Sequence, residues 1–405
     1  LDFAGAVETM NVSTTGAASR FDKLVFDGGT TTLTIAADEA LTVDDNLTAT
    51  AITSLTVTGD SLVTLTPALA NTAITIDSSA QTAGGLRVTT GNPGDTNGTV
   101  VDLTVTGGAG SDRVVLTGTD VGDDLSVTMG AGNDRVTIGG LVMDASDTID
   151  GGDGTDTLAM SDQAALTTAT IARMSNFESL LLSDDNDGAT DTFNTELITG
   201  LQSVSIGADN AGDGYVLTNV SSTVATDITI SATQAVAPNI GLKDAATVGQ
   251  IDNLTIKIDD GATGDNTITL ADLTSANVEN INIDLSAGDN LTFTAATGLT
   301  GLTTMTVTGS GDFNITSGAL ALNGNASVDA SAITGTGTFD FTNSTTNGLA
   351  IKGSATKNNT ITGSQRADAI TGGTGTDALT TTAGATTDSF DMVDDEYKNA
   401  KYYFE

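Results

Sequence analysis

The sequence predicts an all-β protein, an elongated stack of parallel β-solenoid or β-helix coils, and three observations carry that expectation. Short segments alternate apolar and polar residues throughout the 405-residue chain, as in Leu33-Thr34-Ile35, Leu55-Thr56-Val57, Ile74-Thr75-Ile76, Leu254-Thr255-Ile256 and Met305-Thr306-Val307. The composition favours strands and turns: 45 of the 52 acids are Asp, 47 residues are Gly and Thr is abundant, whereas helical proteins draw on Glu, Lys, Arg and Leu. Similar segments also return at fixed spacings, the signature of a repeat architecture.

Along the chain, each alternating strand turns its apolar residues inward and its Thr or Asn outward. Ile228-Thr229-Ile230 and Ile281-Asn282-Ile283 continue the series. A common coil start precedes several strands: Val7-Glu8-Thr9-Met10-Asn11-Val12, Phe177-Glu178-Ser179-Leu180, Leu201-Gln202-Ser203-Val204-Ser205-Ile206 and Val278-Glu279-Asn280-Ile281-Asn282-Ile283. A longer duplication points to two tandem units. Leu55-Thr56-Val57-Thr58-Gly59 leads to Ile76-Asp77-Ser78-Ser79-Ala80 and Gly84-Gly85-Leu86, and Met305-Thr306-Val307-Thr308-Gly309 leads to Val328-Asp329-Ala330-Ser331-Ala332 and Gly335-Thr336-Gly337. The expected organisation is β-rich coils of a first unit over 1–100 and Gly/Asp-rich coils over 101–160. β-rich coils of a second unit then cover 161–350, Gly/Asp nonapeptides 351–390, and an aromatic, charged tail 391–405. A peripheral helix is expected around 168–176, where Ile171 and Met174 are three apart. Stacked coils bury their apolar faces only against neighbours, and at 38% hydrophobic residues the chain can do so despite its acidity.

Charge and missing residue types exclude whole classes of function. Thirteen basic against 52 acidic side chains give a net charge of −39, and such a chain repels nucleic acid. His and Cys are absent, which removes HExxH zinc sites, Ser-His-Asp and Cys-His nucleophiles, thiolate metal sites and disulfides. No apolar run reaches the ~18 residues of a transmembrane segment, and alternating strands without aromatic girdles do not read as an outer-membrane barrel. What remains is a Ca²⁺ binder, a carboxylate enzyme or a structural protein. Leu1 in place of an initiator Met is expected of a processed or excised part of a longer chain.

Three Gly/Asp motifs stand in register. Gly107-Gly108-Ala109-Gly110-Ser111-Asp112-Arg113-Val114-Val115 is followed by Met129-Gly130-Ala131-Gly132-Asn133-Asp134-Arg135-Val136-Thr137 and Gly151-Gly152-Asp153-Gly154-Thr155-Asp156-Thr157-Leu158-Ala159, so the motifs begin at positions 107, 129 and 151 with a constant step. That period places one Gly-rich turn per coil on the same edge of a solenoid. A second cluster runs as consecutive nonapeptides: residues 354–362, then Gly363-Ser364-Gln365-Arg366-Ala367-Asp368-Ala369-Ile370-Thr371 and Gly372-Gly373-Thr374-Gly375-Thr376-Asp377-Ala378-Leu379-Thr380. Two nonapeptides make one coil, so Asn359 and Asp377 share an edge while Asp368 lies on the other, facing a degenerate turn at 384–388.

These motifs follow the pattern G-G-x-G-x-D-x-U-x, and in them the sequence resembles the RTX (repeats-in-toxin) family of secreted calcium-binding proteins. The resemblance implies β-roll segments, several bound Ca²⁺ ions, and ligands drawn from the Asp and the backbone carbonyls of each turn. Carried over position by position, the expected metal residues of the first cluster are Gly107, Gly108, Ala109, Gly110 and Asp112, then Gly130, Ala131, Gly132 and Asp134, then Gly151, Gly152, Asp153, Gly154 and Asp156. The second cluster adds Asn359, Asp368, Gly372, Gly373, Thr374, Gly375 and Asp377. Met129 departs from the pattern by placing a side chain where Gly is usual, Gln365-Arg366-Ala367 replaces a Gly-rich stretch, and Lys357-Asn358-Asn359 matches weakly.

The physical chemistry agrees with that transfer. Gly permits close backbone approach, and oxygen ligands suit a hard cation. Turns stacked one strand spacing apart would leave Asp112, Asp134 and Asp156 about 4.8 Å from one another. At an effective dielectric near 20 each adjacent pair would repel by roughly 3.5 kcal/mol, and an intervening divalent cation converts that repulsion into cohesion. Arg113 and Arg135, which hold the same place in successive motifs, are expected to stack beside the ligand column and screen acids on a solvated face.

Other acidic clusters are weaker candidates. Asp184-Asp185-Asn186-Asp187-Gly188 resembles the start of a calcium loop but lacks the Glu an EF-hand needs. Asp44-Asp45-Asn46, Asp259-Asp260-Gly261 and the stretch 209–213 read as solvated loops. The tail contains three of the four Tyr, and is either part of the uncleaved type I secretion signal that RTX proteins carry or an element sealing the last coil.

RTX modules occur on enzymes, toxins, adhesins and surface-layer proteins, so the motif reports export and calcium rather than an activity. No enzyme is expected, because the basic residues that would grip acidic sugars in a β-helical lyase or epimerase are scattered and aromatics are 4% of the chain. Low Lys, high Thr, Ala, Gly and Asp, the repeated coil starts, the D-[SA]-S-A segments and the embedded nonapeptides resemble Gram-negative surface-layer (S-layer) proteins of the Caulobacter type. That resemblance implies an extracellular protein of the cell surface that assembles with itself into a two-dimensional lattice under Ca²⁺. It also implies lipopolysaccharide as the anchor, through a region not evident in this sequence. The alternative reading is a secreted RTX adhesin or a non-catalytic, calcium-stabilised module of a larger exoprotein. The immunoglobulin-like repeats of about 100 residues that adhesins carry are not found.

Overall fold

Alternation in sequence becomes alternation of burial. The computed structural model describes residues 2–3, 7–26, 29–48, 51–69, 74–90, 103–117, 125–139, 146–160, 171–183, 190–208, 214–295, 298–316, 326–342, 348–380, 388–391 and 401–403. Leu33 and Ile35, Leu55 and Val57, Leu254 and Ile256, and Met305 and Val307 are fully buried, while the Thr between each pair is partly exposed. The strands pair in parallel with strands one coil away, as in Leu33↔Leu55 and Leu103↔Leu125, so the fold is a β-solenoid. The chain divides into two compact units, Leu1–Asp185 with Leu197–Leu201, and Asn186–Glu196 with Gln202–Glu405.

In the first unit each coil gives one strand to an eight-stranded parallel sheet, which runs from Thr9–Thr14 through Thr32–Ala37, Ser54–Gly59, Ile74–Gln81, Leu103–Thr106, Leu125–Thr128 and Thr148–Asp150 to Met174–Ser175. The second strand of each coil joins another parallel ladder, from Ser19–Phe26 through Gly85–Thr90, Arg113–Thr117, Arg135–Gly139 and Thr157–Met160 to Ser179–Leu182. The register stacks like on like. Ile76, Val105, Val127, Ile149 and Met174 form one buried column across five coils. Of the helix expected around 168–176, Ile171 is helical and leads through a turn into Met174–Ser175, whereas 168–170 lie outside the described residues.

The second unit repeats the plan with a three-stranded sheet (Asp191–Asn194, Tyr215–Val220, Asn239–Leu242) and a seven-stranded one running from Thr267–Leu270 to Lys401–Tyr403. Its companion ladder runs from Ser203–Ile206 to Ser389–Asp391. Aromatic residues fill this core. Phe293 and Phe313 meet edge-on at 6.0 Å between ring centroids, Phe313 and Phe339 at 5.7 Å, and Phe339 stacks on Phe341 at 6.4 Å.

Both sequence repeats have a local explanation. In the coil starts the apolar residue is fully buried at Phe177 and Val278. The Glu after it accepts a backbone N–H from the preceding coil, Asp156 N to Glu178 Oε2 at 2.8 Å and Asp252 N to Glu279 Oε2 at 2.9 Å. The D-[SA]-S-A segments are matched irregularities in the ladder. Asp77 and Asp329 each accept, on Oδ1, the N–H at 3.0 Å and the hydroxyl at 2.6 Å of the Ser two residues on. At both places the register with the preceding strand shifts.

Because the aromatic column is continuous, a hole in its middle cannot be filled by either neighbour. Phe313→Ala is expected to cost about 3–5 kcal/mol, read as a lower denaturation midpoint of the second unit in urea.

Candidate functional site

The Gly/Asp turns stack in the register that their spacing predicts. Arg113, Arg135 and Thr157 are aligned partners in adjacent strands, so the Asp preceding each lies at the same corner of three consecutive coils. The turn backbones are also stitched together: Ala109 N donates to Gln81 O at 3.0 Å, Ala131 N to Gly108 O at 2.9 Å and Asp153 N to Gly130 O at 2.8 Å. Ala131–Gly132 and Asp153–Gly154 pair as a short two-stranded sheet. Glycine is required by two different constraints. Gly132 (φ 135°) and Gly154 (φ 148°) adopt backbone that a side chain disfavours, whereas Gly107 leaves room for the motif's own Asp, since a Cβ there would lie 2.6 Å from Asp112 Oδ2. Gly372 does the same for Asp377, at 2.4 Å. Gly108, Gly110, Gly130, Gly151, Gly152, Gly373 and Gly375 line the same stacked turns, where most approach the backbone of the preceding coil too closely for a side chain.

The Asp side chains point inward, and this is the central feature of the site. Asp112, Asp134 and Asp156 are 3%, 2% and 0% exposed. Each accepts a main-chain N–H from the coil before: Leu86 N to Asp112 Oδ1 at 2.5 Å, Asp112 N to Asp134 Oδ1 and Asp134 N to Asp156 Oδ1 both at 2.7 Å. Glu178 is the next rung, accepting from Asp156 N. Sequence reasoning missed Glu178 although the signal was present: positions 112, 134, 156 and 178 advance by one constant step. Asp147 is a further buried acceptor found only in the structure, taking Leu125 N at 2.8 Å on Oδ1. Asp153, by contrast, is exposed and does not join the column.

In the second cluster the same rule holds across coils of different length. Leu349 N donates to Asp368 Oδ1 at 2.8 Å and Asp368 N to Asp388 Oδ1 at 2.9 Å, so Asp368 meets the 384–388 turn through the one described residue of it. On the opposite edge Asn359 N donates to Asp377 Oδ1 at 2.7 Å, and Thr374 N continues the stitching to Ala355 O at 3.0 Å. Asn359 adds a feature of its own. Its amide nitrogen lies among four oxygens: Ser354 O at 3.0 Å, Lys357 O at 2.8 Å, Gly372 O at 2.7 Å and Asp377 Oδ1 at 2.9 Å. An NH₂ group has two hydrogens for four acceptors, so the amide cannot satisfy all four oxygens at once.

The electrostatics follow from burial. It pushes the Asp134 carboxyl up to about 7, helped by Asp112 and Asp156 on either side. Asp156 is pushed up to about 6, again by burial first and then by Glu178, Asp150 and Asp153. Burial also raises Asp112 and Asp368, against the hydrogen bonds they accept. Among the described residues, Oδ2 of Asp134, Asp156 and Asp377 is buried without a hydrogen-bond partner. A buried, half-solvated carboxylate is costly unless a proton or a cation joins it. The donor set suits a hard divalent ion, because these oxygens and the turn carbonyls are its only ligating atoms. Among the described residues no three carboxylates gather into a cluster, so an ion bound here would combine single Asp oxygens with carbonyls.

The remaining acidic clusters are engaged locally. Asp259 pairs with Lys257 at 2.6 Å, and that contact draws its carboxyl below the usual range. Asp260 N donates to the buried Asp289 at 2.8 Å. Asp44 pairs with Arg20. The clusters at 184–188 and 209–213, and most of the tail at 391–405, lie outside the described residues. No known protein family, no curated protein and no solved structure matches this chain.

Two expectations follow. Since folding raises the Asp134 and Asp156 pKa values, the folded state keeps protons that the unfolded state releases. That stabilisation is complete below the ordinary carboxylate value near 3.9 and is lost as pH rises through about 6 and about 7. In chelator, the melting temperature should therefore fall from pH 4 to pH 8, and Asp134→Asn, which keeps the Oδ1 acceptor without the charge, should flatten the slope. Second, Asn359→Asp puts an uncompensated charge against Asp377 and should cost about 3–5 kcal/mol in chelator, with recovery in Ca²⁺ seen by calorimetry.

Proposed function

We propose that the chain is a non-catalytic, calcium-binding structural protein of the extracellular cell surface, which folds fully and assembles with its own copies into a two-dimensional lattice when it meets Ca²⁺. The observation that carries this reading is the column Asp112, Asp134, Asp156: three buried carboxylates in consecutive coils, two with an unpartnered oxygen, in a chain of net charge −39. A proton relieves that column only up to about pH 6 to 7. Above that range a divalent cation does so with the oxygen donors at hand.

The RTX resemblance of these turns and the S-layer-like composition support the remainder of the proposal. A β-solenoid suits a scaffold, since rigidity comes from repetition and its flanks offer repeated surface for lateral contacts. Among the described residues no helix is long and apolar enough to cross a membrane. The resemblance implies lipopolysaccharide as the ligand that attaches the protein to the cell.

Purified protein dialysed into millimolar Ca²⁺ should show ordered sheets by negative-stain electron microscopy and a higher melting temperature by circular dichroism. Excess EGTA should dissolve the sheets and lower the melting temperature. Sheets and melting curves that are identical in the two buffers would sink the proposal, and soluble, calcium-stabilised monomers would favour the adhesin or exoprotein-module reading.

A further inference from the structure

Arginines that are scattered along the sequence share one outward column in the first unit. Strand register aligns Arg20 with Thr42, Thr42 with Thr64, Thr64 with Arg87, Arg87 with Arg113, Arg113 with Arg135, Arg135 with Thr157 and Thr157 with Ser179. Eight consecutive coils therefore present Arg, Thr, Thr, Arg, Arg, Arg, Thr and Ser on one line. Four of the six arginines in the chain lie on it and none of the 52 acids does. Each of the eight side chains is exposed or partly exposed.

Arg113 and Arg135, expected to screen neighbouring acids, are not held by any of them in a direct ion pair among the described residues. Arg20 pairs with Asp44, but Arg87, Arg113 and Arg135 make no ion pair among the described residues. Of the three, Arg135 donates from Nε to Thr137 Oγ1 at 3.4 Å. Like charges set directly opposite on neighbouring strands destabilise a sheet. Here three arginines branch from backbone positions about one strand spacing, ~4.8 Å, apart, in a protein with four acids for every base. A charge pattern that opposes folding and finds no internal partner points to an external one.

We infer that this column is a binding track for an anionic polysaccharide lying across the strands. Guanidinium groups recognise carboxylate and sulfate groups with paired hydrogen bonds, and their regular spacing suits a polymer with a charge on successive sugars. The Thr and Ser hydroxyls at both ends continue the line with neutral partners for sugar hydroxyls. Nucleic acid fits poorly, because the column offers no aromatic side chain for base stacking. A second copy of the chain fits poorly as well: no strand register among the described residues sets outward carboxylates in three consecutive coils. The inference goes beyond the calcium reading and does not depend on it, since the column is fixed by strand register alone.

The test uses the full chain in Ca²⁺ buffer, with dextran sulfate as the anionic probe and uncharged dextran as its control, both immobilised for surface plasmon resonance. The wild type should bind dextran sulfate and not dextran, more weakly as salt rises. The triple variant Arg87→Gln, Arg113→Gln, Arg135→Gln should lose about tenfold or more in affinity, with an unchanged circular dichroism spectrum. The double variant Lys257→Gln, Lys352→Gln, which alters charge in the other unit, should bind as the wild type does. If the triple variant fails to fold, Arg113→Gln alone should still weaken binding measurably. The inference is overturned by a wild type that does not bind, by a triple variant that binds undiminished, or by equal loss in the Lys variant. Equally tight binding of single-stranded DNA overturns the assignment to polysaccharide. Loss of Ca²⁺-dependent sheets in the triple variant with dextran sulfate binding intact would make the column a contact between copies. Failure of the wild type to form sheets bears on the proposed function and leaves this test unaffected.

Discussion

The architecture depends on one hydrogen bond repeated from coil to coil: a main-chain N–H at a coil corner donating to a carboxylate one coil further on. It joins Leu86 to Asp112, Asp112 to Asp134, Asp134 to Asp156 and Asp156 to Glu178, and recurs as Leu349 to Asp368 to Asp388 and Asn359 to Asp377. A solenoid needs such a device. Each coil buries its apolar residues only against the coils above and below, and a slip of one residue between strands would turn the whole buried set outward. Apolar columns such as Ile76, Val105, Val127 and Ile149 tolerate some sliding, because one aliphatic side chain resembles another. A short side chain fixed to a single N–H does not.

The same bond creates the chemistry. To reach inward to the corner the carboxylate must be buried, and its second oxygen is left over. Asp112 and Asp368 resolve this with N–H groups of their own turn, from Gly108 at 2.8 Å and Ser364 at 2.6 Å. Asp134, Asp156 and Asp377 do not. Asn359 resolves it differently, with a neutral amide whose two hydrogens are shared among the surrounding oxygens. One motif thus provides three states of the same corner: fully hydrogen-bonded, bridged by an amide, and charged with an open oxygen. The last of these couples assembly of the stack to whatever neutralises it.

Much of this was legible in the residues. The constant step of the Gly/Asp motifs implied the shared edge of Asp112, Asp134 and Asp156, and the nonapeptide step placed Asn359 with Asp377 and Asp368 with Asp388, because period and coil length are the same quantity in a solenoid. The Glu of the coil start was visible as a repeat but its purpose was not, since its partner is an N–H in another coil. Asp153 shares the composition of its neighbours yet faces solvent. The arginine column was invisible as a unit: Arg20, Arg87 and Arg113 are separated by unequal intervals, and only the lengths of the intervening coils bring them into line.

The sequence by itself determined what one coil can say about itself: which residues face inward, where the chain must turn, and how long each turn of the stack is. Those properties depend on near neighbours along the chain, and alternation or glycine placement records them directly. The tertiary structure alone decided how coils of different length are aligned, and therefore which polar groups meet. The partner of each buried carboxylate, the amide within its cage of oxygens and the line of arginines all depend on strand register summed over many coils. Register is settled by the packing of the whole core, which no local segment contains.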